Sequence, residues 1–405
     1  MNDGRRAAIV TPPMPALLSD RELLARLVAF DTTSSESNLP LADFLCDYLA
    51  RPGVRIRRMP APAEPKVNLA IEAGPPVDPV SRRGLVLSGH MDTVPAGEGW
   101  SSPPFRLAER GGALFARGSA DMKGFLAIAA NLVARLDPTR LAEPLVLLFT
   151  YDEELGTLGA RRLHDDWPAD QPLPRRAVIG EPTELAVVRA HKGHLRARFT
   201  LSGTSAHSAY PHLGRSAIEP AARLIVALAA LRRELESERL PSSADYPEVP
   251  YPALNVGRVE GGTAVNVVPE RCLVEVGVRL LPGMDAGAVA ERLLATATAA
   301  LPGEALGWEV LAVSPPMASP PGSDLYRWLC SRVGEPAEPA VGYATDAGWL
   351  QRMGLDCVLF GPGSIRVAHK PDEYVPLSEL ERAREILEGL AGHWCGTRAR
   401  PAEGA

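Results

Sequence analysis

The sequence is poor in cysteine, and the five present, Cys46, Cys272, Cys330, Cys357 and Cys395, are odd in number, scattered and never in CxxC spacing. That pattern excludes a disulfide framework or a zinc ribbon and suits buried thiols in a reducing compartment. No run of about 18 apolar residues occurs, so a membrane-spanning helix is not expected. The opening MNDGRRAAIVTPPMPALLSD holds only a short apolar patch broken by Pro12, Pro13 and Pro15, and so lacks the continuous core of a secretory signal. A basic cluster is missing too, and the formal charge is -6. This argues against nucleic acid, because phosphate binding is driven by concentrated Lys and Arg. Internal repeats are absent. Together these absences point to a cytoplasmic protein with neither nucleic acid nor membrane as a partner.

What is present is core-forming material. At 405 residues with 46% apolar and 23% charged content, the chain is globular and long enough for about two to three domains. Residues 20–52 show helical periodicity interrupted at 31–34. Apolar strand-like runs at 68–71, 85–88, 145–150 and 177–179 alternate with helix-like segments at 122–136 and 157–164. That alternation is the signature of an α/β fold, a mostly parallel sheet flanked by helices.

The pattern changes after HKGH (191–194). Strand-like 195–201, helical 216–235, strand-like 251–259 and 272–280, helical 286–299 and strand-like 308–313 give a β-α-β-β-α-β order, the ferredoxin-like α+β unit. The α/β character resumes with a helix at 326–333, a strand at 357–360 and a helix at 378–390. The expected division is a discontinuous catalytic domain, 1–192 and 315–405, with an inserted domain at 193–314. The Pro-rich SPPMASPPG (314–322) marks the second junction, and the tail after Trp394 reads as disordered.

The chemistry-bearing residues cluster at strand ends of the α/β part: His90, Asp92, Asp121, Glu153, Glu154, Glu181 and, late in the chain, His369. Imidazole plus carboxylate is the ligand set for zinc or a comparable divalent ion, and so many candidates exceed what one catalytic zinc needs. A two-metal site of this kind activates water and polarises a carbonyl, which suits amide or ester hydrolysis. Asp92, two residues after His90, has the place of a carboxylate that fixes the imidazole tautomer. Glu153 and Glu154 are adjacent, so one can bind metal while the other accepts a proton; spacing does not say which. The glycine-rich 361–364 loop, with Gly363, brings backbone close to a substrate or forms a tight turn. Asp346 stands where a helix N-cap would fall.

Taken in order, HMDTVPAG (90–97), ARGSADMKG (116–124), DEELGTLGA (152–160), GEPT (180–183), GTSAHSAYPHLGRSAIE (203–219) and GPGSIRVAHKPDEYV (361–375) resemble the blocks of the M20 family of metallopeptidases and deacylases, from about residue 20 to 390. The resemblance implies a zinc-aminopeptidase-like catalytic domain, an inserted lid and dimerisation domain, and two divalent metal ions, zinc by ligand type with cobalt or manganese as substitutes. It implies His90, Asp121, Glu154, Glu181 and His369 as ligands. Asp121 would bridge, one metal taking His90 and Glu181 and the other Glu154 and His369. Glu153 becomes the base, Asp92 the orienter, and His207 an oxyanion-stabilising group reaching into a partner subunit of a homodimer. Asn266 and Arg279 match lid residues that hold the substrate carboxylate, and Asp346 a polar pocket residue. The family often has a cis peptide after the bridging aspartate, here Asp121–Met122. RAHKGH (189–194), YPALNVGRVEGG (251–262), VRLLPGM (278–284) and GPGS (361–364) are most similar to the acetylornithine deacetylase branch. That similarity implies a small N-acyl amino acid as substrate, N2-acetyl-L-ornithine, and a place in arginine biosynthesis. Acetylcitrulline, succinyl-diaminopimelate, a broad range of N-acyl amino acids and dipeptides are the neighbouring substrates. An inactive binding homologue would lack a ligand or the base, and every such position is filled.

Overall fold

A computed structural model of the chain describes residues 16–336 and 339–396, so most of the opening segment and nearly all of the tail discussed above lie outside the described residues. Ser19 opens α1 (Asp20–Val28) with a capping box closed by Glu22, and Leu23, Leu24, Leu27 and Val28 turn inward. The chain continues through α2 (Leu39–Leu49), β1 (Val54–Pro60), β2 (Val67–Ala73), β3 (Leu85–His90), α3 (Gly124–Arg135), β4 (Leu145–Thr150), α4 (Leu158–Asp166) and β5 (Arg176–Ile179). The insert holds β6 (Gly193–Ser202), α5 (Ile218–Ser237), β7 (Ala253–Gly261), β8 (Arg271–Leu280), α6 (Ala286–Ala300) and β9 (Leu306–Ser314). After it come α7 (Asp324–Val333), α8 (Ala347–Arg352), β10 (Asp356–Leu359) and α9 (Leu377–Trp394).

The central sheet runs β1-β2-β4-β3-β5-β10. β3 pairs in parallel with β4 and β5, and β10 with β5, while β1 and β2 form an antiparallel edge. Both faces are covered, which is why β3 and β4 are buried at every position and open with the continuous apolar runs Leu85–Leu87 and Leu145–Phe149. Leu85, Leu87, Leu145 and Leu147 face α1, α2, α3 and α9. Val86, Val146 and Leu148 face the other side with Leu163 of α4 and Leu350 of α8.

The insert folds as anticipated, a four-stranded antiparallel sheet in the order β7-β8-β6-β9. Its own core joins Phe199, Leu224, Leu228, Val276 and Leu293. The chain leaves and re-enters the catalytic unit side by side: Ala190–His191 pairs antiparallel with Met317–Ala318 and in parallel with Ala340–Val341.

Three local features depart from the sequence reading. β1 has the sequence VRIRRMP, in which arginines interrupt the apolar positions because this is a half-exposed edge strand. α3 starts at Gly124 and not at 122, since Asp121 and Met122 have non-helical backbone angles and the peptide between them is cis. The six-residue α8 is too short to show helical periodicity. No helix among the described residues is long and apolar enough to cross a membrane.

Candidate active site and metal centre

β3, β4 and β5 are parallel neighbours, so their C-terminal ends open on one edge of the sheet, the edge where ligands of α/β folds bind. The loops beyond them carry Asp92, the Glu153–Glu154 pair and Glu181. Gly180 lets β5 run hard against α3: a Cβ there would fall within 1.9 Å of the Phe125 ring. Asp121 enters from the turn before α3 and His369 from the loop between β10 and α9.

These groups converge. His90 Nε2 lies 3.0 Å from Asp121 Oδ1, and His369 Nε2 lies 3.2 Å from Asp121 Oδ2 and 2.9 Å from Glu154 Oε1. His90, Asp121 and Glu154 each offer a ligand atom within 4.8 Å of the others. The two oxygens of Asp121 thus face different histidines. Glu181 is buried beside them, within the field of Asp121, His90 and Glu154.

The electrostatics describe a site that needs positive charge. Burial first, then the surrounding carboxylates, push Glu153 and Glu181 well above the ordinary glutamate range, and Glu154 upward as well. Burial also opposes ionisation of Asp121, but hydrogen bonds from His369 and His90 outweigh it and lower its pKa. Burial disfavours a charged His90, yet its bond to Asp121 and the nearby acids hold its pKa well above the usual imidazole value. His369, bonded to Asp121 and Glu154, is raised to about 10. Each Nε2 faces a carboxylate oxygen of this group, and the four clustered carboxylates outnumber the two imidazoles. The donor set therefore fits divalent cations that take O and N ligands. Zinc at about a hundredfold its Kd should stabilise metal-stripped protein by about 2.7 kcal/mol, read as a raised Tm that a chelator reverses.

The supporting groups differ in part from the reading of the sequence. His90 Nδ1 donates to the backbone carbonyl of Asp92 at 2.9 Å, whereas the Asp92 carboxylate stands 3.6 Å away. That carboxylate instead accepts from the backbone N–H groups of Glu153 and Glu154, at 3.1 and 3.3 Å, and from Ser34 Oγ. Asp92 thus orients the imidazole through its carbonyl, and its side chain fixes the loop that carries the acidic pair. Asp152, just before that pair, has a left-handed φ of 49° and is held by buried Lys66, whose ammonium also reaches the Ser34 carbonyl.

A second clamp grips the Asp121 turn. The Glu373 carboxylate accepts from Arg117 Nη1 at 2.6 Å and from the backbone N–H groups of Gly118, Ala120 and Asp121 at 3.1, 2.9 and 3.0 Å. Sequence reasoning assigned no role to Lys66, Ser34, Arg117 or Glu373. The last two do lie inside the ARGSADMKG and HKPDEYV blocks, which was the available signal.

The remaining candidates sort into three places. Gly363 has φ 89°, and a Cβ there would meet Ala120 Cβ at 2.7 Å, so it packs the 361–364 turn against the Asp121 segment. Asp346 begins α8 but makes no capping hydrogen bond, which sets aside the N-cap reading. Its Oδ2 accepts from Thr150 Oγ1, its Oδ1 is buried without a partner, and burial raises its pKa to about 6. Arg279, on β8, lines a cavity with Tyr343, and Glu153 acts on its charge. His207 and Asn266 sit together on an exposed surface of the insert, where Ser208 N–H donates to the Asn266 carbonyl and His207 Nδ1 accepts from Ala209 N–H. Within this chain they are not part of the His90–Asp121–Glu154 group.

The sequence matches peptidase family M20/M25/M40 over residues 86–393. The chain belongs to that family. Among curated M20 relatives, it is 36% identical to an acetylornithine deacetylase of Myxococcus xanthus over 95% of this chain and 99% of that protein. It is 35% identical to one of Yersinia pseudotuberculosis over 95% and 98%. Among solved structures, an M20 metallo-carboxypeptidase of Sulfolobus solfataricus superposes with TM-score 0.75 at 18% identity, covering 92% of this chain and 98% of that one. A dinuclear metal-binding M20 peptidase of Bacillus subtilis gives 0.64 at 14%, covering 93% and 98%. These likenesses establish the M20 fold, a catalytic α/β unit with an inserted α+β domain, for this metal-dependent amide hydrolase.

Proposed function

We propose that the protein is a co-catalytic two-metal amidohydrolase that deacylates an N-acyl L-amino acid, foremost N2-acetyl-L-ornithine, yielding L-ornithine and acetate. The observation that carries this reading is Asp121, whose two oxygens face His90 and His369 separately. Near-full-length similarity to acetylornithine deacetylases supports the substrate. His90 and Glu181 would hold one ion, Glu154 and His369 the other, and Asp121 both. Zinc suits these donors, and cobalt or manganese takes the same ones. Bound there, such ions make water acidic and polarise the acyl carbonyl.

The chain's own residues do the rest. Glu153 accepts the proton of the attacking water and returns it to the leaving nitrogen, so the C–N bond breaks to give a neutral amine. Arg279 pairs its guanidinium with the substrate carboxylate, and Asp92 keeps the loop bearing Glu153 in place.

Residues 1–192 and 315–405 serve in this proposal as the catalytic unit and 193–314 as a lid and dimerisation surface. β7 is an exposed edge strand, and Val259 on it and Val226 on α5 are 51% and 70% exposed, which favours pairing with a second copy. Across that interface His207 would stabilise the oxyanion, with Asn266 beside it. Mixing inactive Glu153→Ala and His207→Ala proteins should then restore activity in mixed dimers; no recovery in confirmed heterodimers would refute the shared site. A cytoplasmic location fits the five free cysteines, four of them buried.

The test is a kinetic panel on protein stripped of metal and reloaded with zinc, cobalt or manganese. N2-acetylornithine should show the highest kcat/KM, ahead of acetylcitrulline, succinyl-diaminopimelate, other N-acetyl amino acids and dipeptides. Turnover of these others without turnover of N2-acetylornithine would overturn the substrate assignment.

A further inference from the structure

We propose that the cavity beside Arg279 is the subsite for the substrate's amino-acid side chain, and that Glu248 at its mouth selects a side chain ending in a cation. The proposal rests on the deacylase reading above and adds a specificity residue to it. The cavity, about 370 Å³, lies where the insert meets the catalytic unit, and its size is in the range that holds a small ligand.

Its lining carries charges of both signs. Arg279 lines it and is engaged in no ion pair among the described residues, while Tyr343 of the lining lies three residues before Asp346, whose side chain accepts from Thr150 at the end of β4, the strand that leads to Glu153. The sides are largely apolar, formed by Tyr246, Val249 and Val341. Two carboxylates line the remaining wall. Asp245 is already neutralised by Arg189, whereas Glu248 is exposed and has no ion-pair partner among the described residues.

The wall that carries Glu248 is fixed in place. Lys192 donates its ammonium to the carbonyls of Val249 and Tyr251, at 2.6 and 3.0 Å, and sits 5.1 Å from the centre of the buried Tyr246 ring. Those bonds pin residues 246–251 to the junction and also occupy the one other cation in the wall. What remains is a free cation, an apolar stretch and a free anion. Their complement is a molecule with a carboxylate, a short aliphatic chain and a terminal ammonium: an N-acylated diamino acid.

The experiment compares N2-acetylornithine with its neutral isostere N-acetylnorleucine and with anionic N-acetylglutamate on the zinc-loaded full chain. In Glu248→Gln, the ratio of kcat/KM for N2-acetylornithine over N-acetylnorleucine should fall about fivefold, as expected for an ion pair near solvent, with the change in KM. In Glu248→Lys the ratio should fall further and N-acetylglutamate should gain relative to both. An unchanged ratio in both variants, with wild-type protein hydrolysing N2-acetylornithine, overturns the assignment of Glu248 and leaves the deacylase reading standing. Wild-type protein that hydrolyses N-acetylnorleucine and leaves N2-acetylornithine untouched overturns both.

Discussion

Replacing Glu153 with alanine is expected to lower kcat by about 10²–10⁴-fold, the contribution of a well-placed general base, while the protein keeps its full metal content. The separation of the two effects follows from the geometry. Glu154 contacts His369 at 2.9 Å, whereas no hydrogen bond ties the Glu153 carboxylate to either histidine. The backbone of both residues is held by Asp92, and Asp152 before them by Lys66. Truncating Glu153 therefore removes a proton acceptor and leaves the loop anchored. Metal analysis of the purified variant alongside steady-state kinetics is the check. Near-normal turnover would remove Glu153 from the role of base, and loss of metal would make it a ligand.

The second large effect is expected at the Arg117–Glu373 pair. Both side chains are about 1% exposed, so removing one partner strands a buried charge. Glu373→Ala or Arg117→Ala should cost about 3–5 kcal/mol of folding stability. Removing both charges together, as in Arg117→Met with Glu373→Leu, should recover much of that loss, since apolar replacements of a buried ion pair are often neutral. Metal retention should not recover in parallel. The backbone N–H groups of Gly118, Ala120 and Asp121 lose their acceptor in every version that lacks Glu373, the double variant included, and the turn presenting Asp121 is released. Guanidinium unfolding gives the stability and metal content gives the second readout. A double variant that binds metal normally would show that Glu373 contributes stability alone.

How much of this was legible depended on the range of the interactions involved. β4 and β3 announce themselves because a strand covered on both faces carries consecutive apolar residues, as at 145–149 and 85–87, and the insert because its strands alternate buried and half-buried positions, as β6 does. β1 escaped because a half-exposed edge strand tolerates arginine at 55, 57 and 58 among its apolar residues. In the site, His90, Asp121, Glu154 and His369 fall in recognisable blocks, and the structure brings them together. Their supports are harder to see. Arg117 and Glu373 are 256 residues apart, and Lys66 and Asp152 are 86 apart; nothing in local spacing links either pair. Asp346 shows the limit in the other direction. Its position at the start of α8 suggested a cap, and only the packed structure turns its side chain toward Thr150.

The insertion also imposes an order in time. His90 and His369 are separated by nearly 280 residues, roughly 15–55 s of synthesis at about 5–20 residues per second. During that interval His90, Asp121, Glu154 and Glu181 have been made, and the elements from β6 to β9, which share a core of their own, precede β10, His369 and Glu373 in synthesis. Four of the five clustered side chains thus wait, without their last neighbour or the clamp on the Asp121 turn, until the chain is almost finished. The full donor set consequently belongs to the completed polypeptide, and a ribosome stalled within the insert leaves a nascent chain that lacks His369 and Glu373.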